Sequence, residues 1–445
     1  MNFIGRKEEL LALKEKYKSK TKELIIIYGR RRLGKTFLIK ESLNKNNSSL
    51  YFLLNEESIE LNVLRFSQEL SEVLKNPLFS SVKATSFLEY FKLIHNQLPN
   101  NFVIALDEFS YLVDKDRSII SQFQVIYDEY CNTNALKLIL CGSSRKIMSD
   151  LLSYQSALYG RRTLSIQLKE FSINETTEFL KKITCLKTIF KYYNLFGGVP
   201  YYLEKINQEE SFEYNIIKLY FNSTSFFKDE IIFLLKSEFK EISNYYSIMK
   251  SISKGKNTLK EIHEKTFLDK SLISKYISVL ENLGFISPKK SFLDKENSKK
   301  SMYQNLDPFV NSWFAIFEEY KSNLESTKVQ DQLLNTIIPQ VMGKLFEISC
   351  EKILSNCYLE LKPYYRGGVE IDFIGKVDKN ILDVIECKFK ENVNEVEILK
   401  ALEQKVQVLP QEFICNFIVI SINGTIGLRE LVKISKEKKV LSEIL

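Results

Sequence analysis

The sequence predicts an α/β protein organised on a parallel sheet, and three features predict it. Leu24-Ile25-Ile26-Ile27-Tyr28 runs straight into Gly29-Arg30-Arg31-Arg32-Leu33-Gly34-Lys35-Thr36. Phe102-Val103-Ile104-Ala105-Leu106 is apolar at every position and ends in Asp107-Glu108. Leu136-Lys137-Leu138-Ile139-Leu140-Cys141 is a third such run, ending in Gly142-Ser143-Ser144-Arg145. Near-continuous apolar runs suit parallel strands buried on both faces, and the residues at their C-terminal ends lie where ligands of such sheets bind.

The first run and its sequel form the pattern G-x-x-x-x-G-K-T between a strand and a helix. Its glycines let backbone N–H groups close around phosphate oxygens, its lysine reaches the β- and γ-phosphates, and its threonine hydroxyl holds Mg²⁺. The anion then sits at a helix N-terminus, where unpaired N–H groups and the dipole favour negative charge. The expected nucleotide-binding residues are Gly29, Arg30, Arg31, Arg32, Leu33, Gly34, Lys35, Thr36 and, in the first helical turn, Phe37. No guanine-reading motif is evident, so ATP with Mg²⁺ is the default ligand.

Asp107 is expected to hold Mg²⁺ through water, and Glu108 to polarise the attacking water as catalytic base. The alternative is an acidic pair that ends a strand and caps the next helix. After the third run, Ser143 or Ser144 is placed either to sense the γ-phosphate or to cap the following helix. This assumes that the third strand lies between the loop strand and the acidic one. Leu158-Tyr159-Gly160-Arg161-Arg162 puts two arginines on a short turn. Arg161 is the expected finger, supplied in cis or to a neighbouring subunit, against a solvated pair as the alternative.

At 445 residues the chain exceeds one ordinary core, so two to four domains are expected. The 44% hydrophobic and 27% charged content is globular rather than disordered. No apolar run of about 18 residues appears, so no membrane partner is expected. The seven cysteines lack any C-x-x-C pair, which points to reduced thiols and a cytoplasmic location. The net charge of +7 permits nucleic-acid binding without arguing for it.

Along the chain, residues 1–170 read as the phosphate-loop core and 171–239 as a helical lid. In the lid, Gly197 and Gly198 turn the backbone and Pro200 opens the next helix. Residues 240–318 read as three helices and a hairpin, a winged helix-turn-helix. Leu272, Ile273, Tyr276, Ile277, Leu280 and Leu283 mark the buried face of its third helix. Lys270, Ser271, Ser274, Lys275 and Ser278 form its exposed face, suited to DNA, with a protein-interaction adapter as the alternative. Residues 318–330 read as an exposed helix or linker.

The last domain, 335–445, carries a second constellation. Gly367–Ile374 and Val384–Phe389 read as antiparallel strands, and Glu386 and Lys388, two apart, share a face. If Asp372 faces them, two carboxylates and a lysine converge. Asp372 and Glu386 then suit Mg²⁺ or Mn²⁺, Lys388 suits activation of water on a phosphodiester, and Glu347 on the preceding helix completes the site. The alternative is an ordinary hairpin with a cross-strand ion pair. This arrangement resembles the PD-(D/E)XK nuclease fold, with Glu386-Cys387-Lys388 as E-x-K. It departs from that pattern in having Ile371, not proline, before Asp372.

The order of parts, from the phosphate loop through Leu-Asp-Glu, Leu-Tyr-Gly-Arg-Arg and Phe-Gly-Gly-Val-Pro to the terminal E-x-K, resembles the archaeal-type ATPase family. These are AAA+-like P-loop proteins related to signal-transducing ATPases. The resemblance implies ATP binding, hydrolysis and a terminal nuclease-like domain. The expected fold is thus α/β: a P-loop NTPase parallel sheet with a helical lid, a winged helix and a restriction-endonuclease-like α/β domain. The leading expectation is an ATPase that couples nucleotide state to a DNA-directed, metal-dependent nuclease-like module. A nucleotide-dependent regulatory scaffold that binds a protein or DNA without cleaving it, its nuclease fold inactive, is the alternative, and a small-molecule kinase a third. A protein partner or a homo-oligomer is expected as a further partner beside ATP and DNA.

Overall fold

Five strands form the first sheet of the computed structural model: β1 (Glu23–Tyr28), β2 (Ser49–Leu53), β3 (Val103–Asp107), β4 (Lys137–Gly142) and β5 (Leu164–Gln167). Their order is β2-β3-β4-β1-β5, and every neighbouring pair is parallel. The structure describes residues 3–43, 48–222, 224–295, 301–422 and 432–434. The chain divides into two compact units, Met1–Glu170 and Phe171–Leu445.

β4 lies between the loop strand β1 and the acidic strand β3, as expected. Leu24 to Ile27 of β1 are fully buried, as a strand flanked on both sides and covered on both faces requires. On one face, Phe52, Ile104 and Leu138 join Phe66, Phe87 and Phe123 of the covering helices in one apolar cluster. β2 has no counterpart in the sequence reading. It is short and half-buried, with burial that alternates instead of running continuously.

The second unit begins with helices, among them Ile173–Phe179, Leu186–Phe196 and Pro200–Leu203. Gly197 and Gly198 both have φ 69°, and a Cβ on Gly198 would fall 2.3 Å from the Phe171 carbonyl oxygen. The break is therefore built for glycine. Three helices follow, Ser243–Ser253, Leu259–Thr266 and Lys270–Asn282, with the antiparallel pair β6 (Ile286–Lys289) and β7 (Met302–Asn305). Ile273, Ile277, Leu280 and Leu283 are buried as expected. Leu272 is not: it is 36% exposed, on the polar side of the helix. Glu318 also departs from the expected exposed linker. It is buried, accepting a hydrogen bond from Lys250 Nζ at 2.8 Å.

The terminal sheet contains β8 (Glu360–Arg366), β9 (Val369–Lys376), β10 (Ile381–Lys388), β11 (Ile414–Ser421) and β12 (Val432–Ile434), in the order β12-β11-β10-β9-β8. β9 and β10 are antiparallel, as expected, while β10 and β11 are parallel. The helix Ile338–Leu354 packs on β10, and Glu395–Lys405 connects β10 to β11. The segments 423–431 and 435–445 of the expected terminal domain lie outside the described residues. Among the described residues no helix is long and apolar enough to cross a membrane.

Candidate functional sites

β1 delivers the chain to the phosphate loop at its C-terminal end, and the helix Lys35–Leu43 carries it away. Gly29 has φ 150°, and a Cβ there would fall 2.5 Å from the Leu168 carbonyl oxygen. Gly34 has φ 85°, a conformation that costs glycine little. Leu38 N–H donates to Gly34 O at 2.9 Å, so helical bonding begins at the second glycine. Lys35 is buried, and its Nζ donates to Gly29 O at 2.9 Å and Arg30 O at 3.0 Å. The ammonium is thereby held against the loop backbone.

The loop arginines divide. Arg30 is 1% exposed, and its guanidinium lies 3.9 Å from Glu170 Oε1, so its side chain faces the protein. The Arg30 guanidinium is thus turned toward Glu170. Arg31 donates to Tyr111 OH at 3.3 Å, and Arg32 takes φ 74°. Phe37 is 48% exposed and stacks on Phe3 with ring centroids 5.7 Å apart.

Asp107 is the hub of the site. Its Oδ2 accepts from Thr36 Oγ1 at 2.5 Å and from Tyr51 OH at 2.9 Å, and its Oδ1 accepts from Glu108 N–H at 2.9 Å. Thr36 and Asp107 thus present two adjacent oxygen donors, which fits Mg²⁺ held by one carboxylate, a hydroxyl and phosphate oxygens. Tyr51 belongs to β2 and escaped the sequence reading together with its strand. Burial and the neighbouring Asp107 push its hydroxyl pKa up, so it remains a donor. Glu108 turns out of β3 at φ 57°, and its Oε2 accepts from Ser143 Oγ at 2.7 Å. Ser144 caps the next helix by accepting from Ile147 N–H. The two serines therefore have separate positions.

Arg161 is placed elsewhere. It lies three residues before Leu164, the first residue of β5, which pairs with Ile25, so it is at the N-terminal edge of the parallel sheet. The phosphate loop follows the C-terminal end of β1. Its Nε donates to Asp128 Oδ1 and Oδ2 at 2.9 and 2.8 Å, and NH1 to Ala157 O at 2.8 Å. A finger acting in cis is corrected by this topology, because the sheet separates the arginine from its own loop.

In the terminal sheet the register pairs Leu382 to Ile385 with Lys376 to Phe373 and ends one residue short of Glu386 and Asp372. There Asp372 Oδ2 accepts the Cys387 N–H at 2.7 Å. Burial, then the Glu386 and Glu347 charges, push the Asp372 pKa up to about 7, against the opposing pull of Cys387 N–H and Lys388. Burial pulls Lys388 down, but Glu386, Asp372 and Glu347 outweigh it and hold it above its ordinary value. Lys388 Nζ donates to Glu386 Oε1 at 2.6 Å, and Lys405 Nζ to Glu386 Oε2 at 3.1 Å. Lys405 was not anticipated: it lies 19 residues beyond Glu386 and only the β10–helix–β11 connection brings it back.

A divalent cation relieves a carboxylate that burial and a neighbouring carboxylate push toward protonation, so Asp372 beside Glu386 fits Mg²⁺ or Mn²⁺. Glu347 acts on Asp372 from the preceding helix and finds its hydrogen-bond partner on that same helix. Among the described residues no group of three such side chains is gathered to hold a metal, and Glu347 Oε2 accepts from Lys344 Nζ at 2.5 Å, one helical turn away. Asp372 and Glu347 also line a cleft of about 270 Å³ with Lys289, Tyr303 and Tyr365. Lys270, Ser271, Ser274 and Lys275 are all exposed, as expected of a docking face.

A family model described as an ATPase domain predominantly from Archaea matches residues 3–206. The uncharacterized protein MJECL04 of Methanocaldococcus jannaschii is 31% identical over 400 residues, covering 87% of this chain and 88% of its own. The uncharacterized ATP-binding protein MJ0423 of the same organism is 56% identical over 41 residues, 9% of this chain and 70% of its own. The Walker-type ATPase PABY2304 of Pyrococcus abyssi shares the fold, with TM-score 0.53 at 21% identity over 70% of this chain and 96% of its own. With a phosphate loop, a Thr36–Asp107 pair and a β2-β3-β4-β1-β5 parallel sheet in its first unit, the chain belongs to the archaeal-type ATPase family and carries a nucleotide-binding P-loop ATPase domain.

Proposed function

We propose that the chain hydrolyses ATP in its first unit and uses the nucleotide state to control a DNA-directed module in its second. In the first unit, Lys35 reaches the β- and γ-phosphates, and Thr36 with Asp107 holds the cation. Glu108 accepts the proton of the attacking water, and Ser143 fixes its carboxylate. Bound Mg²⁺ supplies charge neutralisation on the phosphates. Arg161 would then serve as a finger only toward a neighbouring copy, after release from Asp128.

In the second unit, 171–239 is read as the lid, 240–318 as a winged helix and 335–445 as a PD-(D/E)XK nuclease-like domain. The observation that carries the nuclease reading is Asp372, which accepts the N–H of Cys387, between Glu386 and Lys388, and is pushed up to about 7 by burial and the Glu386 charge. Asp372 and Glu386 would hold Mg²⁺, which supplies Lewis-acid activation of a phosphodiester, and Lys388 orients water toward the phosphorus. Lys270, Ser271, Ser274 and Lys275 would meet DNA.

Cleavage of linear, supercoiled and single-stranded DNA with Mg²⁺ or Mn²⁺, with and without ATP, tests this beside the Lys388→Ala protein. Cleavage is expected, and at least a hundredfold loss in the variant. No cleavage by protein that still hydrolyses ATP would overturn the nuclease reading in favour of a scaffold. One observation favours that second reading. Phe292, three residues after β6, is buried against the terminal sheet and its N–H donates to Pro363 O at 2.7 Å, as a linking module requires.

A further inference from the structure

Glu386 and Lys388 face a second cavity, of about 370 Å³, which Asp372 does not line. It is enclosed by the end of β10, the segment after it and the Glu395–Lys405 helix, and Lys390, Asn394 and Lys405 complete its polar wall. Glu386 is 8% exposed, and both of its oxygens accept from ammonium groups, Oε1 from Lys388 and Oε2 from Lys405. One lysine is enough to neutralise one carboxylate. Lys388 is also drawn by Asp372 and Glu347, yet the lining of the cavity itself carries three lysines, Lys388, Lys390 and Lys405, against two carboxylates, Glu386 and Glu397. Asn394 caps the start of the helix there by accepting from Glu397 N–H. The ligand that such a site complements is an anion with several acceptor oxygens.

We propose that this cavity is a phosphate-binding subsite, with Lys405 and Lys390 as its cations, which holds the backbone of a nucleic-acid strand beside the phosphodiester presented to Asp372 and Glu386. The inference rests on the phosphodiester reading of the terminal domain. A cation taken by Glu386 would free the Lys405 ammonium toward this phosphate, so that metal and strand binding favour one another.

The test is the affinity of the full chain for a fluorescent single-stranded oligonucleotide in chelator, measured by anisotropy over a range of salt. Lys270→Ala/Lys275→Ala protein serves as background so that the three-helix module contributes little. Lys405→Met is expected to weaken binding about fivefold or more, Lys405→Met/Lys390→Met further, and Lys405→Arg to restore most of it. The slope of log affinity against log salt should fall by about 0.7 for each phosphate no longer neutralised. Unaltered affinity and slope in the double variant, with an unaltered melting temperature, overturns the subsite. So does an oligonucleotide that does not bind the unsubstituted chain at all. Calorimetry with inorganic phosphate separates the sources: phosphate binding abolished in Lys405→Met while oligonucleotide binding is kept overturns the strand assignment. Oligonucleotide binding that depends on Lys405 in a protein that cleaves nothing upholds the subsite and removes only the cleavage reading.

Discussion

At the residue scale, both sites depend on how a carboxylate is held. Asp107 accepts three hydrogen bonds, and that from Tyr51 comes from a different strand. Hydrogen bonds to charged groups contribute about 1.5–3 kcal/mol, so Tyr51→Phe should lower kcat for ATP hydrolysis about tenfold while leaving ATP affinity within a few-fold. An unchanged kcat would show that the tyrosine does not position Asp107. Asp372 is the opposite case, a carboxylate that burial, Glu386 and Glu347 push up to about 7, partly offset by Lys388 and the Cys387 N–H. A raised acid stabilises the fold below its unfolded pKa, near 4, and loses that contribution as pH climbs through 7. Measured in chelator, Asp372→Asn should be close in stability to the unsubstituted protein near pH 4 and progressively more stable above it, by about 4 kcal/mol once past pH 7. A pH-independent difference would remove the electrostatic account. The loop residues, Asp107, Glu108, Asp372, Glu386 and Lys388 were all legible, because each sits at the end of an apolar run or at a fixed spacing. Tyr51, Lys405 and the Ser143–Glu108 bond were not, since they join residues that only sheet order or a crossover connection brings together.

At the element scale, legibility followed burial. β1, β3 and β4 are buried at almost every position and could be read as continuous apolar runs, whereas β2, half-buried at the sheet edge, could not. Arg161 shows the complementary failure. A Gly-Arg-Arg turn looks the same at either edge of a sheet, and only the pairing of β5 with β1 places it opposite the loop. Glu318 was read as exposed because its charge gave no hint of the Lys250 partner from another helix. The loop after β6 carries an element-scale prediction. Phe292 joins Tyr364, Ile371 and Leu382 in the terminal core. Phe292→Ala should cost about 3–5 kcal/mol, by analogy with other buried aromatic truncations. Hydrogen exchange should then quicken in β8 to β10 while amides of β1, β3 and β4 keep their protection. Uniform loss across both sheets, or none, would mean that Phe292 does not hold the terminal sheet to the three-helix module.

At the scale of the whole molecule, the question is whether the second unit responds to the first. Within the second unit the parts are mechanically tied. Ser349 Oγ donates to Asn194 Oδ1 at 2.6 Å, joining the Leu186–Phe196 helix to the Ile338–Leu354 helix that carries Glu347. A Cβ on Gly197 would meet the Pro308 ring at 2.9 Å, so the same break is closely packed against the segment beyond β7. A displacement of the Leu186–Phe196 helix thus has rigid partners on the route to the terminal site. Coupling between nucleotide and DNA is a free energy shared by both ligands, typically 1–3 kcal/mol or about 5- to 150-fold. Glu108→Gln protein, which should retain ATP without hydrolysing it, allows it to be measured at equilibrium. Its DNA affinity with ATP should differ at least fivefold from that with ADP. By reciprocity, the ratio of ATP to ADP affinities must change by the same factor when DNA is added. Lys35→Ala, which takes the ammonium away from the phosphates, should show one DNA affinity under both nucleotides. Equal DNA affinities in Glu108→Gln protein saturated with either nucleotide would leave two independent sites on one chain, because a ligand with no differential affinity for two states shifts neither.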